Sequence, residues 1–369
     1  MVRLTRPLHL FASIAFIGGD LAAQGGPDAW RPQTVPLFGA SYTPDVGLLI
    51  GAGVAHTRYG FRALPPSTRL LAEAAYATSA RAYRVGVAGE FRRPLLPAIL
   101  YIELRASGLE LIRFYGVGNE TDGSQPDSVH RVGQTQLLVA PRVAMPLAPR
   151  LRLTVGPLLK YAHTPGDPGT VLKTTGPYYG AGDFGQVGAR AGLELDTRDN
   201  TAAPASGLHV SVAAQWFPAV WDVARSFGSL SAEASTYLAA SDPSAATLAL
   251  RVGGGAVSGT VPFQELIYVG GGTTVRGYSE RRFAGRRGAY GNAELRLLAG
   301  HLPFGDVGIL GLADAGRVWI PGEPSDRWHA AAGGGVWLAW QHRRANTLSV
   351  ALARSPERTA VYVRAGFMF

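Results

Sequence analysis

Apolar and polar side chains alternate with a period of two along most of this chain. Within 292–297, Asn292, Glu294 and Arg296 share one face, and Ala293, Leu295 and Leu297 share the other. Around 188–196, Arg190, Glu194 and Asp196 alternate with Ala189, Ala191, Leu193 and Leu195. Tyr101, Glu103 and Arg105 alternate with Leu100, Ile102 and Leu104. At the end, Val361, Val363, Ala365, Phe367 and Phe369 oppose Tyr362, Arg364, Gly366 and Met368. This period belongs to strands with one apolar face, not to helices. The pattern predicts sixteen strands, near 45–59, 68–79, 81–93, 97–106, 109–117, 129–141, 149–163, 182–196, 207–217, 226–239, 244–257, 290–299, 305–319, 328–341, 346–354 and 359–369.

A soluble β-sandwich and a membrane barrel share this alternation, because the apolar face meets a second sheet in one and lipid in the other. Three features tilt the balance to the barrel. Arg3 and Arg6 precede a mostly apolar stretch, 8–19, and Leu21-Ala22-Ala23 ends on small residues. That is the pattern of an export signal, residues 1–23, cleaved after Ala23. The 369 residues include no cysteine, so the framework of an exported chain must rest on hydrogen bonds rather than disulfides. The chain also ends on an aromatic, Phe369. Beyond residue 25 no run approaches the ~20 apolar residues of a membrane helix.

Lipid offers no partner to backbone N–H and C=O groups, so spanning strands must close on themselves. An even strand number puts both chain ends in the periplasm. The short links Ser79-Ala80, 106–108, 240–243 and 342–345 are then expected on the periplasmic side, and the long links 118–128, 164–181 and 258–289 outside. Aromatics near strand ends suggest interfacial girdles: Tyr59, Phe61, Tyr115, Tyr161, Trp216, Phe217, Trp319, Trp328, Trp337 and Trp340. Side chains alone cannot fill the lumen of a sixteen-stranded barrel. The expected fold is therefore all-β: a sixteen-stranded antiparallel transmembrane barrel whose sixth extracellular loop, 258–289, folds inward as a plug.

The formal charge of +9 is carried by basic residues spread singly along the strands. They suit a wet interior or contact with lipopolysaccharide, and no nucleic-acid partner is expected. Catalytic signatures are missing: the chain has no G-x-S-x-G, no H-E-x-x-H and no P-loop lysine. The eight histidines (His9, His56, His130, His163, His209, His301, His329 and His342) are scattered in sequence without metal-ligand spacing. Asp196 and Asp199 read as turn residues. No catalytic residue, cofactor or metal ion is expected.

The most distinctive segment is Val275-Arg276-Gly277-Tyr278, after the run 270–274 of three glycines and two threonines. An arginine folded into a lumen needs a carboxylate, because an unpaired buried charge is costly. Asp314 and Glu294 point inward by the alternation, and Asp314 sits among small residues in 312–316. Gly277 permits a tight turn beside such a pair.

With these residues the chain resembles the barrel domain of the BamA/TamA-like superfamily of outer-membrane assembly and translocation proteins, the bacterial surface antigen barrels. The likeness rests on 270–278, on 292–296, on 312–319, on the turn 195–200 with Pro204 and Gly207, on 114–121, and on the aromatic C-terminus. It implies an outer-membrane location, a pairing of Arg276 with Asp314 inside the lumen, and a C-terminal signal (Phe367, Phe369) read by the barrel assembly machinery. Family members usually carry periplasmic POTRA domains. Here 24–38 is expected to be only a short periplasmic segment before a barrel at 39–369. The implied role is insertion or translocation of a protein or lipid client without POTRA domains of its own, with a weak seam between the first and last strands. The alternatives are a passive or gated channel, and a barrel anchor that dimerises or recruits a separate periplasmic partner.

Overall fold

The computed structural model describes residues 31–60, 63–93, 97–240 and 245–369. The expected leader, 1–23, lies outside the described residues. One sheet of seventeen segments runs round the molecule, and two of them, Thr135–Val139 and Arg142–Ala148, pair with the same two neighbours. They are halves of one strand interrupted at Ala140-Pro141, so the barrel has 16 strands, all antiparallel.

In chain order the strands are β1 Gln33–Thr43, β2 Gly47–Gly60, β3 Ala63–Ala77, β4 Ala82–Arg92, β5 Ile99–Ser107, β6 Thr135–Val139 with Arg142–Ala148, β7 Leu151–Thr164 and β8 Gly182–Asp196. They continue as β9 Gly207–Phe217, β10 Phe227–Ala239, β11 Ala246–Gly259, β12 Arg287–Leu302, β13 Gly305–Trp319, β14 His329–Trp340, β15 Thr347–Arg354 and β16 Thr359–Ala365. Each pairs with the next, and β1 meets β16 to close the wall.

The period of two reappears as burial. β15 alternates at every residue, with Leu348, Val350 and Leu352 exposed and Thr347, Ser349, Ala351 and Ala353 buried. In β12, Asn292, Glu294 and Arg296 are buried while Leu295 is exposed. The exposed apolar band meets lipid, and the covered face lines the interior. No described helix is long and apolar enough to cross a membrane.

The strand number agrees with the sequence expectation through two offsetting differences. β1 lies largely within the segment assigned to a periplasmic arm, and the seam therefore joins Gln33–Thr43, not 45–59, to β16. Pro36 disguised this strand; proline lacks a backbone donor and is tolerated at a sheet edge. Conversely, 109–117 is no strand. It has Leu111, Ile112, Phe114 and Tyr115 all buried, so neither side is available to lipid. It packs instead into a second apolar core made of loops, with Leu111, Phe114, Val132, Leu172, Phe263 and Ala284.

This moves two turns. Ser79-Ala80 and the start of link 108–134 lie at the long-loop end, where Arg131 donates to the carbonyls of Ser79 and Ala80 at 3.2 and 3.4 Å. The same end carries 165–181 and the sixth connection, 260–286. Of the aromatics expected in girdles, Trp216, Trp319, Trp328 and Trp340 are exposed. Tyr115 and Phe217 are buried, Trp337 packs on an interior cluster with Leu310, Leu312 and Tyr362, and Phe61 lies outside the described residues.

Val252, at the middle of β11 and 63% exposed, tests which face meets lipid. Val252→Arg is expected to cost about 2–4 kcal/mol of barrel stability and Val252→Leu almost nothing, measured by urea titration of folding into lipid vesicles. Equal stability of the two variants would argue against a lipid-facing position.

Candidate functional site

The sixth connection is anchored by its own backbone before any side chain acts. It enters and leaves through a small hairpin, Ile267–Val269 against Phe283–Gly285. Gly270 and Gly271 both have positive φ (+116° and +87°), which turns the chain sharply. Thr274 Oγ1 closes that turn, accepting from the Gly270 N–H at 2.8 Å and donating to the Gly270 carbonyl at 3.1 Å. Asn292 Nδ2 and Arg251 Nη2 hold the tip from the barrel wall, donating to the carbonyls of Thr274 and Thr273, each at 2.6 Å.

Arg276 then meets the polar face of β12 and β13. Its Nε and Nη2 donate to the two carboxylate oxygens of Asp314 at 2.7 and 2.8 Å, and its backbone N–H donates to Asp314 at 3.0 Å. Its Nη1 donates to Glu294. Arg276 is 2% exposed, Glu294 1% and Asp314 3%. Two carboxylates on one buried guanidinium would leave an excess negative charge, and Arg296 offsets it, donating to Glu294 at 2.7 and 3.0 Å. Asn292 supplies a further donor to Asp314 at 2.8 Å. Charges in this row alternate in sign, which is what lets them be buried together.

The row continues to the C-terminus. Arg296 Nη2 donates to the main-chain oxygen of Phe369 at 2.8 Å, and its guanidinium lies 3.9 Å from the centre of the Phe367 ring. These two phenylalanines do not continue the outward face of β16. Gly366, at φ +74°, ends the strand's alternation and turns them to the interior, where Phe367 also meets Trp337 and Phe369 lies by Arg251.

The other end of the motif grips β16 and the turns on either side of the seam. Gly277 N–H donates to Tyr362 Oη on β16 at 2.9 Å, and Ser355 Oγ donates to the Gly277 carbonyl at 2.7 Å. Gly277 itself has φ +85° and faces backbone atoms at 3.1–3.2 Å from an added Cβ, so a side chain there is doubly opposed. Arg358, in the β15–β16 turn, donates to the Tyr278 carbonyl at 2.8 Å and forms a two-point ion pair with Asp45 at 2.8 and 2.6 Å. Asp45 lies in the β1–β2 turn and also accepts from the Glu280 N–H at 2.8 Å. Arg282 bonds Glu357 at 2.9 Å and Thr121 at 2.6 Å, and Asn119 links the 114–121 motif to Glu323, Ser325 and Val318.

Val275, Arg276, Gly277, Tyr278, Glu294 and Asp314 thus fall in one place, while Phe367 and Phe369 join through Arg296. Asn292, Tyr362, Ser355, Arg358 and Asp45 were not singled out from sequence. Asn292 alone had a signal, since it shares a face with Glu294. The scattered histidines also need revision, because His301 and His342 converge on Asp306.

The comparisons with known proteins agree with this architecture. A family model described as the Omp85 superfamily domain matches residues 81–353. Among solved structures, the chain is similar to BamA from Haemophilus ducreyi lacking POTRA domains 1–3, with a TM-score of 0.65 at 14% identity, covering 96% of this chain and 75% of that one. It is also similar to CdiB from Acinetobacter baumannii (TM-score 0.57, 13% identity, 91% of this chain and 59% of that one). CdiB from Escherichia coli gives a TM-score of 0.55 at 12% identity, covering 96% and 67%. At these identities the likeness concerns the fold. No curated protein matches the sequence significantly.

Arg276→Ala would leave two buried carboxylates facing each other. The loop is expected to lose about 3–5 kcal/mol of docking free energy and to become cleavable by protease within 270–285; an unchanged digestion pattern would refute this. Adding Asp314→Ala should cost less than the sum of the single changes, since the pair is already broken.

A second variant tests the loop's half-buried acid, Glu280. Burial first, and Asp45 second, hold the Glu280 carboxyl above the ordinary carboxylate range, against the Gly272 N–H and the charges of Arg364 and Arg281. The docked loop therefore favours the proton. As pH rises past the ordinary value of about 4.3, an undocked Glu280 ionises first and docking weakens. Glu280→Gln keeps an acceptor for Gly272 and removes the charge. Its loop should resist protease at neutral pH at least as well as the wild type, with a flatter pH profile; greater cleavage than wild type would contradict the assignment.

Proposed function

The chain belongs to the Omp85 superfamily, and from that premise we propose that this outer-membrane barrel helps a protein or lipid client enter or cross the membrane through the seam between β1 and β16. A non-enzymatic role fits a site made of ion pairs and backbone anchors, with no nucleophile beside a base. The observation that carries the reading is the contrast between two neighbours of β1. It pairs with β2 along its whole length, from Gln33↔Thr57 to Thr43↔Gly47, yet it meets β16 only at Tyr42↔Val363 among the described residues. A wall is easiest to part where fewest ladder bonds must break.

In this reading the loop 260–286 is the plug and the Arg276 row its anchor. Because the motif contacts Tyr362, Arg358 and Asp45, undocking the loop would loosen the same end of the seam that holds the single register pair. Phe367 and Phe369 serve as the terminal signal during the barrel's own assembly, and afterwards pack on Arg296. Candidate partners are lipopolysaccharide, the assembly machinery, a separate periplasmic protein and a second copy of the chain.

A cavity of about 310 Å³ beside the loop, lined by Glu103, Arg105, Lys160, Arg190 and Glu265 among others, favours a gated channel as second reading. A reversible lock separates the two. The chain has no cysteine, so Tyr42→Cys with Val363→Cys creates one unambiguous disulfide across the seam. Vesicles carrying the reduced double variant are expected to speed the folding of a small urea-unfolded outer-membrane barrel. Oxidation should abolish the effect and reduction restore it. Undiminished assistance by the locked barrel would sink the seam hypothesis, whereas large steady conductance of a 270–285 deletion without any assistance would support the channel.

A further inference from the structure

At the short-turn end, opposite the plug's anchor, three side chains from separate segments converge. His301 stands near the end of β12, Asp306 near the start of β13, and His342 in the β14–β15 turn. His301 and Asp306 are direct cross-strand partners flanking the two-residue link Pro303-Phe304. His301 Nδ1 and His342 Nδ1 both lie on Asp306 Oδ1, at 2.7 and 2.6 Å. The three ligand atoms fall within 4.8 Å of one another.

We propose that His301, Asp306 and His342 form a zinc-binding site on this face of the barrel. Two imidazole nitrogens and one carboxylate are a common donor set for Zn²⁺, and nitrogen donors disfavour magnesium and calcium. The observed separations are those of shared protons. An ion between the groups replaces those protons, and the donors move apart by roughly half an ångström to reach bond lengths of about 2.0–2.2 Å. Both imidazoles are exposed (67% and 48%) and free to make that adjustment, while Asp306 is the more covered (17%) and fixes the centre. The two turns are already tied together: Gln341 N–H donates to the Phe304 carbonyl at 2.8 Å, and the Phe304 and Trp340 rings lie 5.6 Å apart. His342 holds a left-handed backbone, φ +56°. Three protein donors leave a fourth position for water or for a donor of a docked partner.

The contrast with the other histidine cluster supports the choice. Glu194, Asp196 and His209 are also close, but Glu194 is bound by Arg152 and Asp196 by Arg198, so cations already occupy their carboxylates.

The experiment uses the full barrel without a polyhistidine tag, folded in detergent micelles, with Zn²⁺ followed by isothermal titration and Co²⁺ by visible absorption. The expected result is one ion per chain. His301→Ala and His342→Ala should each weaken binding by more than about 100-fold, the upper range for loss of a supporting group around a metal, with His209→Ala unchanged. These positions lie at turns, and heat-modifiable electrophoretic mobility verifies that each variant remains folded. Absence of zinc binding, full retention in the His301→Ala/His342→Ala double variant, or loss in His209→Ala would each overturn the assignment.

Discussion

Hydrocarbon offers no hydrogen-bond partner, and each unpaired backbone group left in it costs several kcal/mol. Every other feature of this barrel depends on that constraint. It forces every strand to be paired on both sides, closing the sheet into a ring, and allows the polar side chains only one place to go, the interior. It also makes the point of closure the critical one. β1 is fully paired on one side, while its other side touches β16 at a single register pair among the described residues. Pro36 sits in the stretch of β1 beyond that pair, where a missing backbone donor is least harmful.

A ring this wide cannot be filled by side chains from the wall alone. The sixth connection docks on the polar face of β12 and β13, and it brings an arginine. Burying that charge is tolerable because Asp314, Arg276, Glu294 and Arg296 follow one another with alternating sign and the main-chain oxygen of Phe369 closes the row. Removing any member unbalances the charge of those that remain, so the row behaves as a unit rather than as separate pairs. The apolar core formed by the long loops covers the same end of the barrel and gives the loop a second support.

The geometry also joins the loop to the seam. Tyr362 belongs to β16, Ser355 and Arg358 to the turn before it, and Asp45 to the turn after β1. All four contact the segment 277–280 or one another. Under the proposed function, a change that favours the undocked loop acts on the seam, and opening of the seam acts back on the loop by the same free energy.

Much of the architecture was legible in the chain because a period of two is a local property. Each strand declares its two faces within a few residues, as 292–297 and 347–354 do. Segment 109–117 misled because alternation looks similar when both faces are buried, and only the packing of Leu111 and Phe114 against other loops distinguishes the cases. The turn at Gly366 likewise redirects Phe367 and Phe369 inward, a matter of one backbone angle that the pattern does not encode. For the site, residue types stated a need: an arginine bound for the interior requires acids. The alternation already named Asp314 and Glu294 as candidates; that both meet Arg276 at once, and that Asn292, Tyr362, Arg358 and Asp45 complete the grip, was decided by closure of the barrel, which brings residues 45 and 358 together across the seam. The sequence by itself determined the faces of the strands and the charges to be matched. The tertiary structure alone decided the partners, because electrostatic and hydrogen-bond pairing depends on distance in space, and separation along the chain carries no measure of it.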